Sequence, residues 1–490
     1  MSLTSAMNVT QSALSVFSAE TSVTSRNIAG ANSTGLYSRK SLGVVSSDNS
    51  GVETTGVTRA QDQALFTNLL TSTSESTKQS ALSSGLDALY QTIGDTSSTT
   101  SPAALMDTFK NALQALSANP SDAVQAQSAV NAAKDLTSGL NKASTTVQSV
   151  REQADSEIKT SVDTINSILT QFQSLNTQIV SGSKSGTDVT DLLDSRDSLL
   201  QQLSQEVGIT TTVNSDNSMS IFTDSGVTLF QDKARSVTFQ PTSVYTAGNV
   251  GKNVMVDGVP ITGDTSPMPI KSGKLAGLAS LRDNIAPTYQ NQLDQIAQSL
   301  IANFSETDQT GGTAPTLPGL FTYPNASGLP TSATGLAASI EVNANVDPSQ
   351  GGSVSLLRDG GIASPGSVTY TYNTSSTSTS YTGRLNALVA SFDATQTFSV
   401  ASGLQNNQTV SDFATASVAW LNSQRQSSST ANDYQKTVLS SVTSALSNAT
   451  GVNLDTEMSK MLALEQSYSA SAKLMSTINT MFGTLLTAVG

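Results

Sequence analysis

Apolar residues recur at threes and fours at both ends of this chain. Near the C-terminus Leu464, Tyr468, Met475, Ile478, Phe482, Leu485 and Val489 fall on one stripe, interrupted by Ser471. Near the N-terminus Leu3, Met7, Leu14, Phe17 and Ile28 follow a similar track, with Thr10, Thr21 and Thr24 at its weaker positions. A 3.5-residue period held to the end of a chain is a coiled-coil signature. An apolar stripe must be covered by something. The sequence beside each end supplies no partner, so the candidates are the opposite terminus and further copies of the same chain. A helix pair within one chain would cover both stripes. Packing against neighbours as well, in a head-to-tail tube, is the sharper expectation.

Between the ends the pattern alternates. Residues 2–31 predict a first helix, broken by Gly30, Asn32 and Gly35. Short β-like pieces follow in 36–60 (Leu42, Val44, Val45, then Val52 and Val57). Helices are predicted over 61–94, from Pro102 after a Ser101 cap to about 117, and from Pro120 to about 182 with Asn119 or Ser121 as cap. At 1.5 Å per residue the last of these is a rod of roughly 90 Å. A helix over 188–206 ends at Gly208. Segment 209–270 has short apolar runs split by Asn, Asp and Gly, the pattern of a small antiparallel β region. Helix returns from Gly273 to about 303. Residues 307–400 are rich in Gly, Pro, Ser and Thr, with strands expected in SVSLL, VTYTY and TFSVA. A helix from about 411 to 447 follows. Asn453 then caps the last helix, with Asp455 and Glu457 in its first turn.

The expected fold is therefore mostly α with β inserts: a terminal coiled-coil layer, a helical-bundle layer and an outer β domain. The expected division is nested. Residues 1–60 with 451–490 form the terminal domain. Residues 61–208, 271–306 and 409–450 form the helical layer. Residues 209–270 form a small β region, and 307–408 an inserted outer β domain.

Composition narrows the chemistry. The chain has 490 residues, enough for two to four domains. Its net charge of −13 argues against nucleic acid as a partner and against an anionic membrane surface. Cys and His are both absent, which removes disulfides, Cys/His zinc sites and His-based catalytic triads. No apolar run approaches the length of a membrane span, and the start lacks the pattern of a cleaved signal peptide. Asp191, Asp194 and Asp197 lie three apart beside Arg196. A metal or acid/base role would need convergent carboxylates from elsewhere, so a solvated face with ion pairs is the expectation. Tyr37 and Arg39 suit either turn packing or subunit contact. The methionines at 458, 461, 475 and 481 read as seam fillers able to adapt to different partners. No pair of acids placed for glycan hydrolysis stands out. The reading carries no enzyme activity, no catalytic residue, no metal and no cofactor.

Four segments resemble the flagellar axial proteins and, within them, the hook-associated protein 1 family. Asn27-Ile28-Ala29 with Asn32, Gly35, Tyr37, Ser38 and Arg39 resembles the N-terminal rod and hook motif, Asn-Ile-Ala-Asn-x-x-x-x-Gly-Tyr. Arg26, where the family often has a second Asn, and Leu36, inserted before Tyr37, depart from it. Asp191-Leu192-Leu193-Asp194-Ser195-Arg196-Asp197 is similar to a second signature. Segment 273–304 resembles the helix after the β region. Gly451-Val452-Asn453-Leu454-Asp455-Thr456-Glu457-Met458, with Tyr468, resembles the C-terminal motif. The resemblance implies a structural subunit at the junction of hook and filament, needed for filament assembly. It implies a homo-oligomeric ring of about eleven copies, contacts to the hook protein and to a second junction protein, and a cytosolic export chaperone on the C-terminal region. It also implies export through the flagellar type III apparatus to an extracellular location. The contrasting expectation is a secreted, β-rich, adhesin-like module on a coiled stalk, which would place ligand binding in 307–400.

Overall fold

A computed structural model describes residues 2–32, 36–47, 51–94, 98–375 and 378–489. The first helix, α1, spans Leu3–Gly30, and the last, α12, spans Leu454–Val489. They lie side by side and antiparallel, since Lys460 early in α12 faces Glu20 late in α1 at 3.9 Å. Strands β1 (Lys40–Ser47) and β2 (Gly51–Arg59) form a hairpin packed on α1. This rod and hairpin form the terminal unit.

The body is built on α4, Ala123–Ser185, a helix about 95 Å long. Its buried positions recur at threes and fours from Ala126 to Ile179, which is why it can run so far without fraying. Its cap is Asp122, whose side chain accepts from the N–H groups of Val124 and Gln125, so Asn119 and Ser121 are not the cap. Around α4 pack α2 (Gln63–Ile93), α3 (Pro102–Ala118), α5 (Thr190–Glu206), α6 (Lys274–Ser280) and α7 (Ala286–Asn303). Ser101 caps α3 ahead of Pro102, as the sequence predicts. A π-helical turn, Leu281–Ile285, joins α6 to α7. It carries fully buried Arg282, which donates to Asp155 on α4 at 2.6 Å and to Asp283 at 2.8 Å. Two three-stranded antiparallel sheets fill 209–260. One comprises β3 (Ile209–Val213), β4 (Met219–Thr223) and β5 (Thr228–Phe230). The other comprises β6 (Val237–Thr238), β7 (Met255–Val256) and β8 (Val259–Pro260).

Segment 307–408 differs from expectation. Its ladders are two residues long: β9 (Phe321–Thr322) with β10 (Glu341–Val342), and β11 (Gln396–Thr397) with β12 (Asn407–Gln408). The rest is turns and short helices: α8 (Leu336–Ser339), α9 (Leu356–Asp359) and α10 (Gly383–Ser391). The strands expected in 353–357 and 368–372 are largely helical turns, with Thr371 in a single antiparallel bridge to Gly360, and TFSVA is strand only over its first residue. Phe321 and Phe392 leave the segment to pack on Phe109 of α3 and on Phe304, with ring centroids 5.1 to 5.7 Å apart. Each expected strand buries a single large apolar side chain, Leu357, Tyr370 or Phe398, too few to fix an alternating register on the weak preference of Val and Thr for extended backbone. The last body helix, α11 (Val410–Thr450), runs antiparallel to α2, and Arg425 pairs with Asp87 at 3.4 Å.

Candidate functional site

The rod covers only part of its own apolar surface. On α12, Leu464 and Ile478 are buried against the molecule, and Met475 and Phe482 are half-buried. Tyr468 is 48 % exposed and Leu485 59 % exposed. The side chain of Val489 lies outside the described residues. Beside this seam Met458, Leu462, Leu474, Met481 and Leu486 are also exposed. With 36 residues against 28, α12 overshoots α1 by roughly 12 Å. The overshoot explains why Leu485 and Leu486 stand uncovered. On α1 the expected Leu3, Met7, Leu14, Phe17 and Ile28 are half-buried, whereas the buried positions are Val16, Val23, Thr24 and Asn27. The hairpin shifts the buried face, because it covers α1 on a second side that periodicity alone does not reveal.

At the base of the rod three distant segments meet. The Asn27 amide donates to the Lys40 carbonyl at 2.9 Å and to Glu457 Oε2 at 3.0 Å, while its Oδ1 accepts from the Lys40 N–H at 2.9 Å and the Tyr37 hydroxyl at 3.2 Å. Arg39 donates through Nε to Glu457 Oε1 at 2.6 Å, and its backbone N–H to the Thr450 carbonyl at 2.8 Å. Asn27 and Glu457 are both buried, so this network closes α1, the loop after it and the start of α12 into one unit. The Tyr37 ring lies against Gly30, where a Cβ would come within 2.4 Å of it. Asn453 caps α12, accepting from the Thr456 N–H at 3.0 Å. Tyr37 and Arg39 thus both serve the packing of the loop. Asn32, Ala29, Leu454 and Asp455 are exposed, and Gly35 lies outside the described residues.

The terminal unit meets the body through charge. Lys40 and Arg59 are directly paired across the hairpin, so both reach the same helix, α5. Two cations opposite each other on a sheet repel; here the carboxylates of α5 separate them. Arg26 contacts Asp188 and Asp191 at 2.7 Å each. Lys40, fully buried, contacts Asp191 and, at 3.2 Å, Asp194. Arg59 contacts Asp194 at 3.0 Å and Asp197 at 2.6 Å. The acids recur every three residues, and each cation spans two successive ones.

Sequence spacing alone suggested a solvated face for Asp191, Asp194 and Asp197. Asp191 is exposed, but Asp194 is buried and Asp197 nearly so. Their partners lie 135 to 165 residues away in sequence, too far for any local pattern to show. Leu192 and Leu193 beside them are half-buried. Arg196 takes no part in the ladder: its side chain donates to the Asn217 carbonyl at 2.6 Å, and burial pushes its pKa down to about 10.

The electrostatics follow the geometry. Burial pulls the guanidinium of Arg26 and the ammonium of Lys40 down, yet Asp188, Asp191 and Asp194 more than offset it and hold both above their ordinary values. Burial pushes Asp188 and Asp191 up, but hydrogen bonds led by those from Arg26 and Lys40 bring them below the ordinary value of 3.8. Burial dominates at Asp197 and holds it above that value even beside Arg59. Among the described residues no group of acids is placed to hold a metal ion, and no helix is long and apolar enough to cross a membrane.

The chain has clear relatives. Residues 86–319 match the family model of the flagellar hook-associated protein FlgK helical domain, and 444–488 that of the flagellar basal body rod FlgEFG protein C-terminal region. Flagellar hook-associated protein 1 of Escherichia coli is 29% identical across 63% of this chain and 56% of its own length. The Salmonella typhimurium protein of the same name is 26% identical with the same coverage. The chain thus spans little more than half the length of these curated relatives. It spans 97% of the Bacillus subtilis protein of that name, at 23% identity over 98% of this chain. The solved flagellar hook junction protein FlgK of Burkholderia pseudomallei aligns over 52% of this chain and 46% of its own, at 23% identity and a TM-score of 0.42. One family model spans 86–319, much of the body, the other spans most of the C-terminal helix, and the curated relatives carry one shared name, so the chain is similar to the flagellar hook-associated protein 1 family over these segments.

Proposed function

We propose that this chain is a structural subunit of the bacterial flagellum that joins hook to filament and is required for filament assembly. The observation that carries this reading is the uncovered apolar surface of α12, from Tyr468 to Leu486, on a helix that outruns α1, the helix it packs along. Surface of that kind calls for a further helix from another copy. In this reading Leu3, Met7, Leu14, Phe17 and Ile28 with Leu464, Tyr468, Met475, Ile478, Phe482, Leu485 and Val489 line the seam between copies. The terminal unit forms an inner layer, the helical body the next, and 209–270 with 307–408 face outward.

The ring of about eleven copies, the contacts with hook protein and second junction protein, the C-terminal export chaperone and type III export belong to the same proposal. They rest on the family resemblance. The role is mechanical, with no catalysis. The adhesin-like alternative is not favoured, because Phe321 and Phe392 tie segment 307–408 into the body core and leave no separate β module to display.

A strain lacking this chain tests the proposal. Electron microscopy is expected to show bare hooks, with filament protein lost to the medium and motility abolished. Restoring a chain without residues 453–490 should leave cells non-motile while the truncated monomer is secreted. Normal filaments in either strain would overturn the reading.

A further inference from the structure

The terminal unit is electrically neutral in an acidic chain. Residues 1–59 and 454–490 hold six acids and six cations, so the net charge of −13 lies entirely on the body. Bodies of like charge repel one another, whereas a neutral rod meets no such penalty when copies come together. Most of the unit's charges are used within the chain. Arg26, Lys40 and Arg59 go to α5, Arg39 to Glu457 and Lys460 to Glu20. Among the described residues Lys473 on α12 has no acid partner, and Glu53 on the hairpin has no cation.

The unit also has two open apolar faces, and one molecule does not join them. On β1, Val44 and Val45 are 40 % and 49 % exposed; their partners across the hairpin, Thr54 and Glu53, give them no apolar cover. On α12, Leu474, Met481 and Leu485 are exposed and, at spacings of seven and four, share one flank. The hairpin and α12 both pack along α1 and, among the described residues, not along each other. The two faces sit in the same part of the rod. The hairpin tip at Gly51 and Val52 lies on Val9 and Ser12 of α1. Asn27 faces Glu457 and Glu20 faces Lys460, so the antiparallel register puts Val9 and Ser12 level with about residues 470–473 of α12. Lys473 and Leu474 thus stand at the height of the hairpin tip, with Glu53 and Val45 just below it.

We propose that the hairpin of one copy is the seat for α12 of the next, with Val44 and Val45 covering Leu474 and Met481 and Glu53 pairing with Lys473. This rests on the reading that copies assemble through the terminal unit, and it adds which two surfaces meet. The pairing is head-to-tail. Each copy offers its hairpin on one side of α1 and α12 on another, so the contact repeats from copy to copy as a ring or tube requires. Packing α12 on α12 in a parallel array at one height would leave the valines open and set Lys473 against Lys473, a like-charge contact that disfavours it.

The absence of cysteine allows a direct test, because single cysteines then report contacts between copies alone. Full-length Val45→Cys and Leu474→Cys chains, carrying different tags, are mixed at a concentration where sedimentation shows self-association, and are oxidised mildly. The disulfide between the two kinds of chain should outnumber the disulfides within each kind. Glu53→Lys should weaken self-association by roughly two- to fivefold, the worth of one exposed ion pair, and adding Lys473→Glu to the same chain should restore it. Leu474→Cys chains joined mainly to each other, self-association without the mixed disulfide, or a loss that the second charge change does not restore would overturn the pairing and leave assembly standing. A native chain that does not self-associate at all would remove the reading beneath it, and the pairing with it.

Discussion

Helices α4 and α12 carry the same apolar rhythm and meet opposite fates. Along α4 the stripe from Ala126 to Ile179 is buried nearly without interruption, because α3, α5, α6 and α7 and parts of both sheets close around it. Along α12 the buried apolar side chains among the described residues are Leu464 and Ile478, because the helix packs mainly against α1. The pattern in the sequence says that a face must be covered; it does not say whether the same molecule does the covering. The first helix belongs to a finished core, and the second keeps a face that its own chain leaves open.

If that division is right, damage to the body should be costly and global. Phe109 touches Phe304, Phe321 and Phe392 at the centre of the body. Phe109→Ala removes three ring contacts and leaves a cavity. It should lower the stability of the body by about 3–5 kcal/mol, read as a fall in the denaturant midpoint. A loss under about 1 kcal/mol would mean that segment 307–408 is not held by these rings.

The hub comes next in size and should be local. Glu457→Ala leaves the Asn27 amide and the Arg39 guanidinium without their buried acceptor. Arg39 is partly solvated, so the expected cost is nearer 2 kcal/mol than the full cost of breaking a buried pair. Hydrogen exchange should rise in α1, the hairpin and α12 and stay unchanged in α3, α4 and α7. Equal loosening of unit and body would show that they fold as one.

Acid should separate the same two regions more gently. Asp188 and Asp191 are held below 3.8 in the folded chain, so their stabilisation is complete above that value and is lost as the pH falls through their folded values. Asp197 is held above 3.8 and works the other way, favouring the folded form as it takes up its proton. Protonation below about pH 4 therefore loosens the outer rungs, at Asp188 and Asp191, where the cations Arg26 and Lys40 lose their partners. Exchange in residues 36–47 and 51–60 should therefore rise at acid pH before exchange in the body does. The reverse order would put the acid-sensitive contacts elsewhere.

How much of this was legible in the sequence depends on the range of the signal. Helix ends set by neighbouring residues were readable, as with Ser101 before Pro102 and Asn453 before Thr456. The cap of α4 was placed up to three residues early, because Asn119, Ser121 and Asp122 all compete there and only geometry chooses. Short strands in 353–372 were not legible, because Val and Thr content is a weak cue where no alternate positions are buried to support it. The ladder was half legible. The three-residue spacing of the acids stood out, but Lys40 and Arg59 acquire meaning only through the hairpin register that pairs them. The burial of Arg282 was not legible, because it depends on a π turn that no local propensity announces.

The smallest effect on folding should carry the largest consequence for assembly. Leu474, Met481 and Leu485 are 58 %, 51 % and 59 % exposed in the single chain. Changing all three to Ser removes little that the monomer buries, so its melting should move by no more than about 0.5 kcal/mol per site. Between copies the same residues would sit inside a seam, where each loses apolar burial at roughly 25 cal/mol per Å² and the losses repeat around every interface of a ring. Sedimentation at high concentration should therefore show self-association of the native chain and none for the triple variant, with motility lost in the cell. A triple variant that melts several kcal/mol early would mean that α12 is already covered within one molecule. A variant that self-associates normally would place the interface on another face.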